Sequence, residues 1–376
     1  KKKSLLVLLI ITIISLCVFF FEKNSSSVDL NDTNKNTAIE TSSNDPIKGY
    51  TPNQIRYAYG IDKLDLYGEN QKIAVIVPYG SPTIENDVSI FNKQFNLPDL
   101  ALKISYPCGE PDKIDMNWAA ETSLDVQWTH ALAPKATISL IISKTDSIDD
   151  LLKCIDYAVS NNEHIISMSW GFNEFQNELS YEKYFDNKNI TFIASSGDGG
   201  PQVNWPAVSP NVLAVGGTTL TLNKDSNITE KEGLWSNSGG GISKYINAPK
   251  YQGNLNVGAA KNYRSVPDVS FFADSSVGVA VYCSTKYNPH ISGWTNLAGT
   301  SLGPPAWAAF TSLVNEKLGY PIGNINEILY NLATDKNQYT TNFRDITNST
   351  DNIGYDLSTG IGSPIENMLF KYLTNK

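Results

Sequence analysis

Histidine is nearly missing from this chain: only His130, His164 and His290 occur in 376 residues. That leaves little material for a histidine metal cluster and few imidazoles to act as a general base, so any hydrolytic chemistry would rest on carboxylates. Cysteine is scarce as well; four residues are too few for a scaffold built from disulfides. Positive charge is in deficit, with 29 Lys and Arg against 38 Asp and Glu and a net charge of −9. A nucleic-acid binder needs a basic face to neutralise phosphates, so no nucleic-acid partner is expected. An apolar content of 41% with 18% charged residues excludes a disordered or fibrous chain.

What is present begins with a distinct N-terminus. Lys1-Lys2-Lys3 precedes an apolar run from Leu5 to Phe21, broken only by Thr12 and Ser15. As a helix this run spans about 25 Å, at the short end of what crosses a bilayer. A basic flank before an apolar stretch reads as a signal-anchor or signal peptide, assigned here to residues 1–27. No small-residue cleavage site follows, which favours the anchor over cleavage, and Leu16 before Cys17 is a poor lipobox. Residues 28–49, rich in Asn, Ser, Thr and Asp, form a polar linker. The remainder is then expected outside the cytoplasm, tethered by residues 5–21 or secreted. The first 49 residues are nearly neutral, so residues 50–376 carry essentially all the negative charge. An acidic external domain relieves its self-repulsion as carboxylates protonate, which suits work at low pH.

Residues 50–376 read as one α/β domain, without internal repeats. Apolar strands are expected at Lys72–Val77, Thr137–Ile142, His164–Met168, Ile190–Ala194 and Val212–Val215. Helical patterns lie at 84–95, 119–132 and 147–159. The alternation predicts a doubly wound, mainly parallel sheet with helices on both faces. Such sheets place their sites at the carboxyl ends of strands, where Trp170-Gly171, Ser196–Gly200 and Gly216-Gly217 offer turns.

Four motifs carry chemistry. Gly299-Thr300-Ser301, before a helix expected near Pro304, would expose a hydroxyl beside unpaired backbone N–H groups. Glu121 and Asp125 are spaced i,i+4, so both carboxylates fall on one helix face. Like charges that close share a proton, and the pair could take the serine proton and return it to a leaving group. Asp198, held among glycines after the strand ending at Ala194, could donate a hydrogen bond to an oxyanion when protonated. Near the C-terminus, Asp345 and Asp356 flank a loop of backbone carbonyls suited to a hard cation such as Ca²⁺.

In combination these motifs resemble the sedolisin family, the serine-carboxyl peptidases, from Tyr50-Thr-Pro-Asn-Gln-Ile-Arg-Tyr-Ala-Tyr-Gly60 to Thr359-Gly360-Ile-Gly-Ser-Pro364. The resemblance implies a subtilisin-like fold and an endopeptidase that cleaves proteins or peptides in acid through an acyl-enzyme. It implies Ser301 as nucleophile, Glu121 as base, Asp125 as its partner and Asp198 as the oxyanion acid. It also implies one structural Ca²⁺ held by the Asp345 and Asp356 side chains and the carbonyls of Ile346, Asn352 and Gly354. A monomer is expected. The family usually carries a large prodomain, for which residues 28–49 leave no room between the apolar segment and the catalytic region. Two other readings compete. A subtilisin-type serine peptidase would share the fold but needs an Asp ending the first strand and a His-Gly pair, neither of which occurs. A catalytically inactive calcium-binding surface protein on the same fold would have lost some of the four catalytic positions, all of which are present.

Overall fold

The computed structural model describes residues 47–223, 229–255, 262–288, 291–346 and 354–375. The apolar segment 5–21 and the linker up to residue 46 lie outside the described residues. Among the described residues no helix is long and apolar enough to cross a membrane.

The chain enters through helix α1 (Pro52–Tyr59), then lays down strand β1 (Lys72–Pro78), helix α2 (Ile84–Phe95) and strand β2 (Leu102–Ser105). Helix α3 (Met116–Leu132), strand β3 (Thr137–Ser143), helix α4 (Ile148–Ser160) and strand β4 (Ile165–Met168) follow. The short strands β5 (Phe172–Asn173) and β7 (Asn204–Trp205) pair with each other around β6 (Thr191–Ser195). Next come β8 (Val212–Leu222), β9 (Thr229–Leu234) and the antiparallel pair β10 (Gly241–Asn247) and β11 (Tyr263–Val266). Strand β12 (Val269–Phe272), the hairpin β13 (Val279–Asn288) and β14 (Ile291–Leu297), and helix α5 (Gly303–Leu318) complete the parts that position the site.

The main sheet runs β12-β8-β6-β4-β1-β3-β2, every neighbouring pair parallel, with β9 added antiparallel to β8. Strand alternation divides its two faces cleanly. In β1, Ile73, Val75 and Val77 join the core that holds α3 and α5, whereas Ala74 and Ile76 join the core under α4. Burial on both faces explains why these strands read as continuous apolar runs.

One expectation is corrected. The strand predicted to end at Val215, with Gly216-Gly217 as a turn, instead runs through both glycines to Leu222. The glycines answer to packing. A Cβ on Gly216 would meet Pro267 Cγ at 2.7 Å, and one on Gly217 would meet Trp235 Cε3 at 2.7 Å.

Candidate active site

Helix α3 is the foundation of the site. Asp115 caps it, accepting from the backbone N–H groups of Asn117 (3.1 Å) and Trp118 (3.3 Å). From Ala119 to Leu132 every residue but Glu121 is buried, so the helix is no solvated face. Its polar side chains are satisfied inside the fold. Thr122 and Ser123 donate back to the carbonyls of Trp118 and Ala119. Gln127 exchanges two hydrogen bonds with the Tyr282 backbone (2.6 and 3.0 Å), and Trp128 Nε1 donates to the Ala280 carbonyl at 2.9 Å. These bonds lock α3 against β13.

The structure brings Glu121, Asp125, Ser301 and Asp198 into one neighbourhood. Ser301 lies in a tight turn, residues 300–302, directly before α5. Its hydroxyl faces the Glu121 carboxyl. Burial pushes Glu121 up to about 8, opposed by the Ser301 hydrogen bond and assisted by the negative charge of Asp198. Asp125 is raised well above its usual range, first by burial and then by the Glu121 charge. One buried oxygen on each carboxyl, Glu121 Oε1 and Asp125 Oδ2, has no hydrogen-bond partner.

Two residues that the sequence analysis did not single out complete the geometry. Ser169, just past the end of β4, has its hydroxyl 2.8 Å from Asp125 Oδ1 and 3.0 Å from the Ser301 carbonyl. One hydroxyl hydrogen cannot serve both acceptors fully. With Asp125 protonated both contacts are satisfied: Asp125 donates to Ser169, and Ser169 donates to Ser301. Ser169→Ala is therefore expected to lower turnover about tenfold and to move the pH limb governed by the carboxyl pair. A pH–rate profile of the variant checks both, and an unchanged profile would dismiss the link. Thr300 is the second such residue. Its backbone N–H (2.8 Å) and hydroxyl (2.7 Å) both donate to Asp198 Oδ1, and Gly197 N–H donates to the Thr300 hydroxyl at 3.0 Å. A Cβ on Gly299, whose φ is +133°, would strike Asp198 Oδ2. Glycine thus lets the turn holding Ser301 approach the acid closely. The available signals were the serine ending Ser167-Met-Ser169 before Trp170-Gly171, and the threonine within Gly-Thr-Ser.

The histidines stand apart. His130 Nε2 lies 2.9 Å from the Pro98 carbonyl, and burial lowers its pKa, favouring the neutral ring. His164 lies at the start of β4, at the end opposite Ser169, and His290 lies outside the described residues. Strand β1 ends in Pro78, followed by Tyr79 and Gly80, with no aspartate there.

At the C-terminus, the Tyr339 hydroxyl is in hydrogen-bonding reach of Asp345 and feels the charge of Asp356 as well. Burial first, then both negative charges, push that hydroxyl well above its usual value. Asp356 Oδ1 also accepts from the N–H groups of Ser358 (2.7 Å) and Thr359 (2.9 Å), and Oδ2 accepts from the Thr359 hydroxyl. Ile346 and Gly354 border the gap in the described residues; Asn352 lies outside them. The donor set, two carboxylates and backbone carbonyls, is all oxygen, the chemistry a hard cation takes, although among the described residues no group of three or more acidic, His or Cys side chains gathers there.

Buried acids elsewhere share the upward shift. Burial raises Glu178 and Glu182 to about 7 and holds Glu366 well above its usual range. All these groups bind protons more tightly folded than unfolded, where a glutamate titrates near 4.5. Their stabilisation is complete below about 4.5 and is lost as pH rises towards 8. The melting temperature is expected to fall by roughly 10 °C between pH 4.5 and 8. Calorimetry across that range checks the sign; a rise would contradict it.

Residues 120–346 match the profile of the Subtilase family. Kumamolisin from Bacillus sp. (strain MN-32) is 30% identical over 84% of this chain and 62% of its own length. Sedolisin from Pseudomonas sp. (strain 101) is 32% identical over 46% of this chain and 32% of its own. The chain thus spans less than two thirds of each of these relatives. Among solved structures, Pseudomonas sedolisin, a serine-carboxyl proteinase complexed with pseudo-iodotyrostatin, superposes with a TM-score of 0.76 at 23% identity. That superposition covers 88% of this chain and all of the other. The subtilisin-like α/β fold is therefore as expected.

Proposed function

The chain belongs to the subtilase family, within which it falls with the sedolisins, and from that premise we propose that it is a serine-type endopeptidase of the serine-carboxyl class, acting on proteins or peptides in acid. The observation that carries the reading is the convergence of three separate segments: Glu121 and Asp125 on α3, Asp198 after β6, and Ser301 before α5. Ser301 Oγ attacks the scissile carbonyl while Glu121, ionised in the form of the pair in which Asp125 carries the shared proton, takes the Ser301 proton. Asp198, whose Oδ1 is occupied by Thr300, donates from Oδ2 to the developing oxyanion. Glu121 then returns the proton to the leaving amine. Water repeats the sequence on the acyl-enzyme. Hydrolysis of an unfolded protein at pH 4 by the purified chain, with acyl-enzyme trapped on Ser301, tests the proposal. No hydrolysis at any pH would favour the inactive surface protein instead.

One Ca²⁺ at Asp345 and Asp356, with the carbonyls of Ile346, Asn352 and Gly354, would relieve the repulsion between the two carboxylates. When bound, the ion supplies structure and no step of the reaction. Because it would bind only the native chain, chelation is expected to lower the melting temperature by several degrees. Asp356→Ala should abolish that sensitivity, and superimposable melting curves with and without chelator in metal-free buffer would refute the site. The enzyme is further proposed to work as a monomer outside the cytoplasm, held by residues 5–21 or released by cleavage. Cell fractionation with N-terminal sequencing distinguishes these, and protein confined to the cytosol would refute both.

A further inference from the structure

Cys108 and Cys154 are far apart in sequence but neighbours in the fold. Cys108 sits between β2 and α3, half-exposed, and its thiol donates to the Asp150 carbonyl of α4 at 3.4 Å. Asp150 is one turn before Cys154 on that helix. Cys154 is fully buried in the core under α4, and Cys108 packs on that same core. The two thiols lie within hydrogen-bonding reach of each other. Cys283 is elsewhere. It is buried in the core on the opposite face of the sheet, with its thiol against the Thr285 carbonyl.

We propose that Cys108 and Cys154 form a reversible disulfide that clamps the segment leading into the catalytic helix α3 onto α4. Cys108 is the entry point because it is reachable from solvent. Its thiolate attacks one sulfur of a small-molecule disulfide and expels one thiolate. Cys154 then gives up its proton and attacks the Cys108 sulfur of the mixed disulfide, expelling the second thiolate. Two protein thiols are oxidised by two electrons, and one reagent disulfide is reduced to two thiols. Burial pushes the Cys154 thiol up, so the second step is the slow one and quickens in mild base. The bond closes residues 108–154 into a loop that contains all of α3, with both catalytic carboxylates. Such a closure restricts the unfolded chain and ties down the lead into the Asp115 cap. An oxidising external compartment would favour the bonded form.

The test uses the full chain and oxidised glutathione. Thiols titrated after denaturation should fall by two, and a non-reduced digest should contain the Cys108 and Cys154 peptides joined. The melting temperature should rise by about 5–10 °C and return on reduction. Cys108→Ser and Cys154→Ser should each lack that rise, and Cys154→Ser should stop at a stable glutathione adduct on Cys108. A link from either residue to Cys17 or Cys283 would overturn the proposal. So would a persistent glutathione adduct on the unsubstituted chain, or a full complement of free thiols after prolonged oxidation in mild base. None of these readouts depends on peptidase activity.

Discussion

Ser301→Ala is expected to abolish acyl-enzyme formation and lower turnover by about 10⁵–10⁶. Glu121→Gln should come close to the same loss, because the amide keeps the shape of the carboxyl but cannot accept the Ser301 proton. The double variant should be scarcely worse than either alone, since the two groups act as one unit. The single variants differ in stability. Burial disfavours the charge on Glu121 and raises its pKa to about 8, so the carboxyl pair loses stability as it ionises; the amide put in its place would carry no charge to disfavour. Glu121→Gln should therefore melt at or above the parent temperature at pH 8, which separates lost catalysis from lost folding. Single-turnover kinetics and calorimetry measure both. Near-normal turnover by Ser301→Ala would dismiss the serine and turn attention to an aspartic mechanism on the same carboxyl pair.

Hydrolysis is expected to be fastest in acid and to fall as pH rises, because Asp198 can donate to an oxyanion only when it carries a proton. An ionised Asp198 repels the oxyanion it should stabilise. Asp198→Ala should cost about 10²–10³ in turnover, the usual effect of deleting one such donor. Asp198→Asn is the more telling variant. Thr300 donates twice to Oδ1, so the amide oxygen should settle there and direct its NH₂ group to the Oδ2 position. The asparagine keeps a donor that does not titrate. It should lose less activity than alanine at every pH, and its alkaline limb should be flatter than the parent's. Initial rates across pH 3–8 decide the matter. A parent rate that climbs from pH 4 to pH 8 would remove Asp198 from this role.

Much of this arrangement was legible because burial on two faces leaves a plain mark. Strands β1, β3, β4 and β6 stand out as unbroken apolar runs, and each appears within a residue or so of its expected bounds. Strand β2 went unread because Leu102–Ser105 is a four-residue edge strand, partly exposed along its length. Strand β12 is equally short, and only Pro267 and Asp268 separate it from β11. The extension of β8 was hidden by glycines whose cause is tertiary contact. The paired carboxylates of Glu121 and Asp125 could be found because helical spacing fixes their relation locally. Ser169 meets Asp125 and Ser301 only after β4, α3 and α5 are assembled, and Cys108 meets Cys154 only across α4. No local pattern encodes such meetings.

The burial of α3 on all sides also bears on how the chain can change in length. Glu121 and Asp125 sit one turn apart on a helix pinned by Gln127 and Trp128. One residue inserted between Glu121 and Asp125 would rotate one carboxyl about 100° relative to the other and drive it into the packed core. An insertion between Asp125 and Gln127 would keep the two carboxyls in phase yet turn both away from Ser301. In contrast, residues 109–113 are mostly exposed, and Gly109 has open space around its Cβ position. Added length there ends at the Asp115 cap, which resets the helix. Insertions and deletions should therefore be tolerated before residue 115 and rejected after it, so that the pair is inherited in register or lost as a whole.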